Sequence, residues 1–320
     1  MSEELFERVL AEGLLGEGRP VLVMLSGGRD STCLLDLAVR ITGSDGVSAL
    51  HVNYGLRAGA DADERHCAEL CERLAVPLEV RRPVRPRRTG NLQAWAREER
   101  YGAAGAIASA RAADIAAGHT ATDQVETILY RLASSPSRRA LLGMRPREGL
   151  LVRPLLAFTR EQTAAYCEQR GLSWREDETN ASSAFARGRV RHGLVPALEA
   201  VHPGAVSNVL ALAETLRDES EVLDALVAEV LGGKEEVELA RLRELPLPLR
   251  RLVVQRLADR AAGRPAAGAA RRADEVAALS EHGIAALDLP HGVRAVAERG
   301  ILRFECHTTG GRKPALKIKR

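Results

Sequence analysis

Asp123 and Glu126 stand three residues apart in a stretch that reads as a helix, so their carboxylates would share one face. Such a pair can hold ammonium groups, coordinate Mg²⁺ or accept a proton from an attacking amine. On an ordinary surface helix it would be only a solvated acidic face. Its place one turn after Gly118-His119, at the end of a short apolar run, argues for chemistry instead. A third carboxylate, Asp30, sits in the run Ser26-Gly27-Gly28-Arg29-Asp30-Ser31 and is a hard ligand of the kind Mg²⁺ takes. Arg97 and Arg100 are also three apart; they suit charge neutralisation at a phosphate, with helix salt bridges to Glu98 or Glu99 as the plainer alternative. His51 and His119 each close an apolar run, where they could contact a nucleotide or simply cap a strand.

The Ser26–Ser31 run follows five apolar residues, Val21 to Leu25, and precedes a helical apolar pattern at Cys33, Leu34, Leu37, Ala38 and Ile41. Strand, Gly-rich turn and helix in that order make an anion site. The glycines let the backbone bend tightly and approach a ligand. Free N–H groups at the helix start then point at the anion, aided by the helix dipole. Ser26 and Ser31 add hydroxyl donors. The GxxxxGK[ST] spacing and the GxGxxG loop are both missing. The six residues resemble instead the PP-loop of the ATP pyrophosphatases, which cleave ATP between its α and β phosphates.

Composition is that of a globular protein, 45% hydrophobic and 28% charged over 320 residues, enough for one large domain or two ordinary ones. No apolar run approaches the roughly 18 residues that span a membrane, and the acidic start MSEELFERVL is not a secretory signal. A cytoplasmic location is expected. Five scattered cysteines argue against a disulfide framework; Cys67 and Cys71, one turn apart, read as a half-buried structural pair rather than a metal site. Net charge is only +3, but basic clusters at 81–88, 187–192 and 312–320 could meet nucleic-acid phosphates. Lysine occurs only at 234, 313, 317 and 319, so a general arginine bias weakens any one cluster.

Strands are predicted at Val21–Leu25, Val47–Val52, Leu78–Arg82, Asp114–Ala117 and Leu150–Leu155. Helices are predicted at about 60–74, 91–112 with Asn91 as N-cap, 122–132, and after the cap Thr159. This alternation implies an α/β fold: a parallel five-stranded, Rossmann-like sheet wrapped on both faces. Ligands in such sheets sit beyond the carboxyl ends of the strands, where Ser26, His51, Asn53 and His119 converge. Residues 1–203 would form this domain, 204–231 a linking helix, and 232–320 a smaller, mostly helical α+β domain. In the latter, 239–262 reads as helical, 274–282 as a shorter helix, 261–270 as a mobile Ala/Gly loop, and 293–296 and 301–304 as short strands.

The order and spacing of SGGRDS (26–31), HVNYGLR (51–57), AREERY (96–101), GHTATDQVET (118–127), RPLL (153–156) and WREDETN…RGRVRHGLVP (174–196) resemble the tRNA(Ile)-lysidine synthetases over roughly the first 200 residues. The C-terminal part resembles that family more weakly. The resemblance implies that ATP adenylates the 2-oxygen of the first anticodon cytidine in the CAU-anticodon isoleucine tRNA. The ε-amine of free L-lysine then attacks, AMP leaves, and the cytidine becomes lysidine. It implies ATP contacts by residues 26–31, His51, Gly118 and His119; Mg²⁺ at Asp30; lysine held by Asp123 and Glu126; and tRNA engaged by Arg187, Arg189 and Arg191, with Arg97 and Arg100 in the catalytic set. The C-terminal domain would contact the tRNA. A homodimer is left open. Trp174 could stack on a base or pack in an apolar contact.

Three positions depart from the family pattern. Tyr54 replaces a usual His, Thr122 replaces the first of two usual acidic residues, and Arg131–Ser137 lacks the glycines of a loop expected to be flexible near the substrate. The rivals are a PP-loop tRNA thiolase, which needs a catalytic cysteine, and a non-catalytic nucleotide- or RNA-binding relative. An NAD or GMP synthetase would need a further domain. No CxxC is present, and Asp30, Asp123 and Glu126 are all retained.

Overall fold

Strand β1 (Val21–Met24) is apolar at every position because both its faces are covered. Val21, Val23 and Leu25 join one core with Leu34, Leu37 and Phe158, while Leu22 and Met24 join another with Ile107 and Ile115. A computed structural model describes residues 2–16, 18–56, 58–85, 91–135, 137–175 and 186–306. Arg57, residues 86–88, Pro136, the DETN stretch and the 312–320 cluster lie outside them.

Helix α1 (Ser2–Ala11) precedes β1, and α2 (Arg29–Thr42), β2 (Val47–Val52), α3 (Ala60–Arg73), β3 (Leu78–Arg81), α4 (Leu92–Arg111), β4 (Asp114–Ala116) and α5 (Ala121–Ser134) follow. The predicted fifth strand is shorter than expected. Arg147–Glu148 (β5) and Leu151–Val152 (β6) form a hairpin, and Pro154, which has no N–H to donate, lies beyond it. The sheet therefore has six strands in the order β3-β2-β1-β4-β6-β5, parallel except for the antiparallel edge strand β5. Chain order reverses direction between β1 and β4, so the crevice opens beyond the ends of those two strands.

After β6, Thr159 caps α6 (Arg160–Gln169) in a capping box with Gln162. Short helix α7 (Ala186–Arg189), a wide helical turn (Val190–Leu194) and α8 (Val195–Val201) lead into α9 (Ala205–Leu231). The chain divides into compact units at Met1–Ala213 and Glu214–Arg320, a boundary that falls inside α9.

The second unit contains β7 (Glu236–Glu238), α10 (Leu239–Glu244), α11 (Leu247–Ala262), α12 (Ala273–Ala277), β8 (Ile284–Leu289), β9 (Val293–Glu298) and β10 (Ile301–Cys306). Its antiparallel sheet has the order β7-β10-β9-β8, more strand than expected. The single helix predicted over 239–262 is broken at Leu245-Pro246. The Ala/Gly segment is not loose: Ala266 and Ala269 are fully buried, and Gln255 and Asp259 bond the backbone of Ala266.

Two glycines bring the site together. Gly27 has φ +82°, and a Cβ there would lie 3.2 Å from Cys67 Sγ. A Cβ on Gly118 would lie 3.0 Å from the carbonyl carbon of Asp30, so the end of β4 rests against the start of α2. Gly27→Ala should cost about 1–2 kcal/mol from its backbone conformation alone. Urea unfolding should show that loss, with Cys67→Ala in the same chain recovering only the part due to the sulfur contact.

Candidate active site

Gly28 precedes α2 with no side-chain cap, so the first N–H groups of the helix stay open to an anion. The two serines brace the loop. Ser31 Oγ donates to Gly28 O (2.9 Å) and accepts from Ser26 N (3.1 Å), and the two hydroxyls lie 3.0 Å apart. Arg175 N ties Gly27 O from outside (2.9 Å).

Asp30, on the first turn of α2, accepts from Thr163 Oγ1 at 2.5 Å and lies 3.7 Å from Arg160 Nε. Burial raises its carboxyl above the ordinary range. The charge of Asp123 adds to that rise, against the Thr163 hydrogen bond, Arg160 and Arg29. Asp123 Oδ2 accepts from Thr120 N and Oγ1 at the cap of α5, while Oδ1 accepts from Arg160 Nη2 at 2.9 Å. Burial would raise Asp123 too, but Arg160, His119 and Thr120 hold it below the usual carboxylate value. Glu126 is 1% exposed; it receives Arg191 through Nε at 2.5 Å and Nη2 at 3.0 Å, with Arg160 Nη1 at 3.9 Å.

The three expected carboxylates do converge. The arginine that joins them, Arg160, was not singled out from the sequence. Its only local mark is its place at the first position of a capped helix. Arg191, expected on RNA, faces Glu126 and Asp123 instead. Arg187 bonds Thr127 Oγ1 at 3.2 Å, and Arg189 is exposed. No group of three or more His, Cys, Asp or Glu able to hold a metal occurs among the described residues. Asp30 offers one hard carboxylate ligand of the kind Mg²⁺ takes.

His51 Nδ1 must donate to Leu25 O (2.9 Å), since a carbonyl only accepts, and so ties β2 to the end of β1. Only its other ring nitrogen is left for a nucleotide. Arg97 and Arg100 flank the Tyr101 ring, at 4.5 and 5.5 Å from its centroid. Neither pairs with a carboxylate among the described residues, so the Glu98 and Glu99 alternative does not hold there. Tyr54 donates to Ala96 O at 2.6 Å and packs edge-on against Trp95, clamping the start of α4. Trp174 packs on the core of the first unit. Of the expected loop at 131–137, residues 131–134 belong to α5. Cys67 and Cys71 are pushed up to about 12 by burial, which keeps them thiols.

The PP-loop domain family matches residues 2–198. A tRNA(Ile)-lysidine synthase of Nocardia farcinica is 37% identical over 298 residues, 91% of this chain and 92% of that protein. The chain belongs to the tRNA(Ile)-lysidine synthase family. The member from Symbiobacterium thermophilum is 36% identical, covering 93% of this chain and 67% of that one; a Thermus thermophilus member is 38% identical over 78% and 50%. The chain thus spans about half to two thirds of several lysidine synthases, and nearly all of the Nocardia one. The fold, but not the sequence, is also shared with the U34-tRNA thiolase NcsA of Methanococcus maripaludis, with TM-score 0.56, 18% identity, and 67% of this chain and 78% of that one covered. In this member of the lysidine synthase family, Cys33, Cys67, Cys71 and Cys167, the described cysteines of the first unit, are all buried.

Burial holds His119 down at about 4 from 6.5, with Arg153, Arg100 and Arg97 adding to the effect against Asp123. The unfolded chain therefore takes up this proton first as pH falls. The stability His119 contributes is complete above pH 6.5 and declines toward pH 4, by up to about 3 kcal/mol. Urea unfolding across that window should show a shallower loss in His119→Gln than in the wild type; identical slopes would remove the assignment.

Proposed function

We infer that this chain is a ligase that joins free L-lysine to the first anticodon cytidine of a CAU-anticodon tRNA(Ile) at the expense of ATP, giving lysidine, AMP and pyrophosphate. The observation that carries the reading is the gathering of Asp30, Asp123 and Glu126 beside an open helix N-terminus at the switch point of the sheet. Polyphosphate suits the helix end, and a cationic amine suits the carboxylates.

The open N–H groups of α2 would receive the phosphates, and Arg97 and Arg100 would face charge developing at the α-phosphate. The cytidine 2-oxygen attacks that phosphorus, the α–β bond breaks and pyrophosphate leaves. The lysine ε-amine then attacks C2, the bond to oxygen breaks, AMP departs and the amine gives up a proton to the carboxylate cluster. Mg²⁺, when bound, would be held by Asp30 and would neutralise phosphate charge. Lysine must share Glu126 with Arg191 or displace it, because both oxygens already receive that guanidinium. Arg187 and Arg189, both exposed, would engage the tRNA. The reaction belongs in the cytoplasm, where tRNA, ATP and free lysine meet; no described helix is long and apolar enough to cross a membrane.

Nucleoside mass analysis of the CAU tRNA after incubation with the protein, ATP and lysine should show lysidine. Sulfur in the product, or no dependence on lysine, would refute the reading. With ATP and tRNA saturating, Glu126→Gln should raise the lysine concentration needed for half-maximal rate at least about tenfold, the loss expected of one charge-assisted hydrogen bond. An unchanged lysine dependence would clear Glu126 of that role.

A further inference from the structure

The carboxylates of the crevice are matched by arginines, but of five other arginines of the same unit only Arg153 is paired with a carboxylate among the described residues. Arg131, on the last turn of α5, donates to Gly143 O at 2.8 Å. Arg187 donates to a neutral hydroxyl, Thr127 Oγ1. Arg153, 4% exposed, donates to Arg145 O at 2.6 Å and Glu148 Oε2 at 3.2 Å, and its Nε is buried without a partner. Arg100 Nε and the hydroxyl of Tyr101, between Arg97 and Arg100, are also buried without partners. Among the described residues Glu148 is the one carboxylate bonded to any of these five guanidiniums. They lie within one another's fields. Arg97 is held down by burial and then by Arg100, Arg187 and Arg153, and Arg131 by burial and then by Arg187, Arg153 and Arg97. Crowded cations with buried, unpaired donors call for an anion.

We propose that Arg131, Arg153 and Arg187 form a seat for a backbone phosphate of the RNA beside the reacting nucleotide, separate from the triphosphate seat at the PP-loop where Arg97 and Arg100 face the α-phosphate. The proposal rests on the RNA-ligase reading above. Phosphate could come from ATP or from RNA, and three features favour RNA. Arg131 lies about 12 Å along α5 from Asp123, by eight residues of helical rise. Glu148, already paired with Arg153, is the one carboxylate bonded to the cluster, whereas the PP-loop has Asp30 to offer to Mg²⁺. Arg187 is exposed while Arg153 is buried, so the seat opens outward to a large substrate. Guanidiniums held by carbonyls and a hydroxyl keep their remaining N–H groups for phosphate oxygens.

The test uses the full chain with Arg131→Gln, Arg187→Gln and the double variant. Binding is measured for ATP, for inorganic pyrophosphate and for a CAU anticodon stem-loop RNA over a salt series. Each single variant should weaken RNA about tenfold near 0.1 M salt and lower the salt slope by about 0.7, the value for one single-strand phosphate contact. ATP and pyrophosphate should stay within about twofold. Arg131→Lys keeps the charge while changing the tie to Gly143, and should restore the slope. Equal weakening of ATP or pyrophosphate would assign the seat to the nucleotide and overturn the proposal. Unchanged RNA affinity and slope in folded variants, checked by thermal midpoint, would also overturn it. A wild type that binds RNA with the expected slope yet forms no lysine-dependent product would refute the ligase reading alone and leave the phosphate seat standing.

Discussion

One guanidinium, Arg160, reaches all three carboxylates of the crevice: Asp123 at 2.9 Å, Asp30 at 3.7 Å and Glu126 at 3.9 Å. Carboxylates this close repel, and the usual outcome without a cation is that one of them stays protonated. Burial raises Asp30, whereas Asp123, with Arg160 bonded to it, is held low. The charge state of the site depends on where Arg160 is held.

That position is set by a polar seam between α6 and α2. Arg160, Thr163, Tyr166 and Arg170 follow at helical spacing on one side of α6, and they meet Asp30, then Asp36 and Arg40, along α2. Asp36 is 2% exposed and is satisfied by the Tyr166 hydroxyl at 2.5 Å and by Arg170 at 3.1 Å. A buried carboxylate without such partners would cost several kcal/mol, so α6 is tolerated in one register against α2 and poorly in the next. The PP-loop helix and the residues that neutralise its aspartate therefore form a single block.

What could be read from the sequence was local. The apolar run before Ser26, the caps Asn91 and Thr159, and the alternation of strand and helix are short-range signals, and the structure contains each of them. The carboxylate pair was visible as a spacing of three. Arg160 was not, because its partners lie 37 residues away at Asp123 and 130 residues away at Asp30, and nothing near it marks a long-range contact. Strands β5 and β7 escaped for a related reason: Arg-Glu and Glu-Val-Glu are polar edge strands, defined by a neighbour rather than by their own burial. The Ala/Gly stretch near 266 read as loose because small side chains carry little apolar signal, yet they are what allows a backbone to pack against α11. Arg191 was legible as a basic residue; that its charge turns inward to Glu126 depends on the fold of the segment before α8.

The charges on α5 also follow an order that the helix itself favours. Asp123 lies in the first turn, where the partial positive end of the dipole stabilises an anion, and Arg131 lies in the last turn, where a cation is stabilised. Stability and the proposed chemistry thus agree at both ends of the helix. They part company at Arg153, which is buried, has an unpaired Nε, and is attached to a strand end rather than to a dipole. A buried donor without a partner is costly, and the phosphate proposed above would supply one. On the proposed reading, one helix would present an amine-receiving end and a phosphate-receiving end, about 12 Å apart, to two substrates of opposite charge. The sheet needs only to hold the two ends in the same crevice.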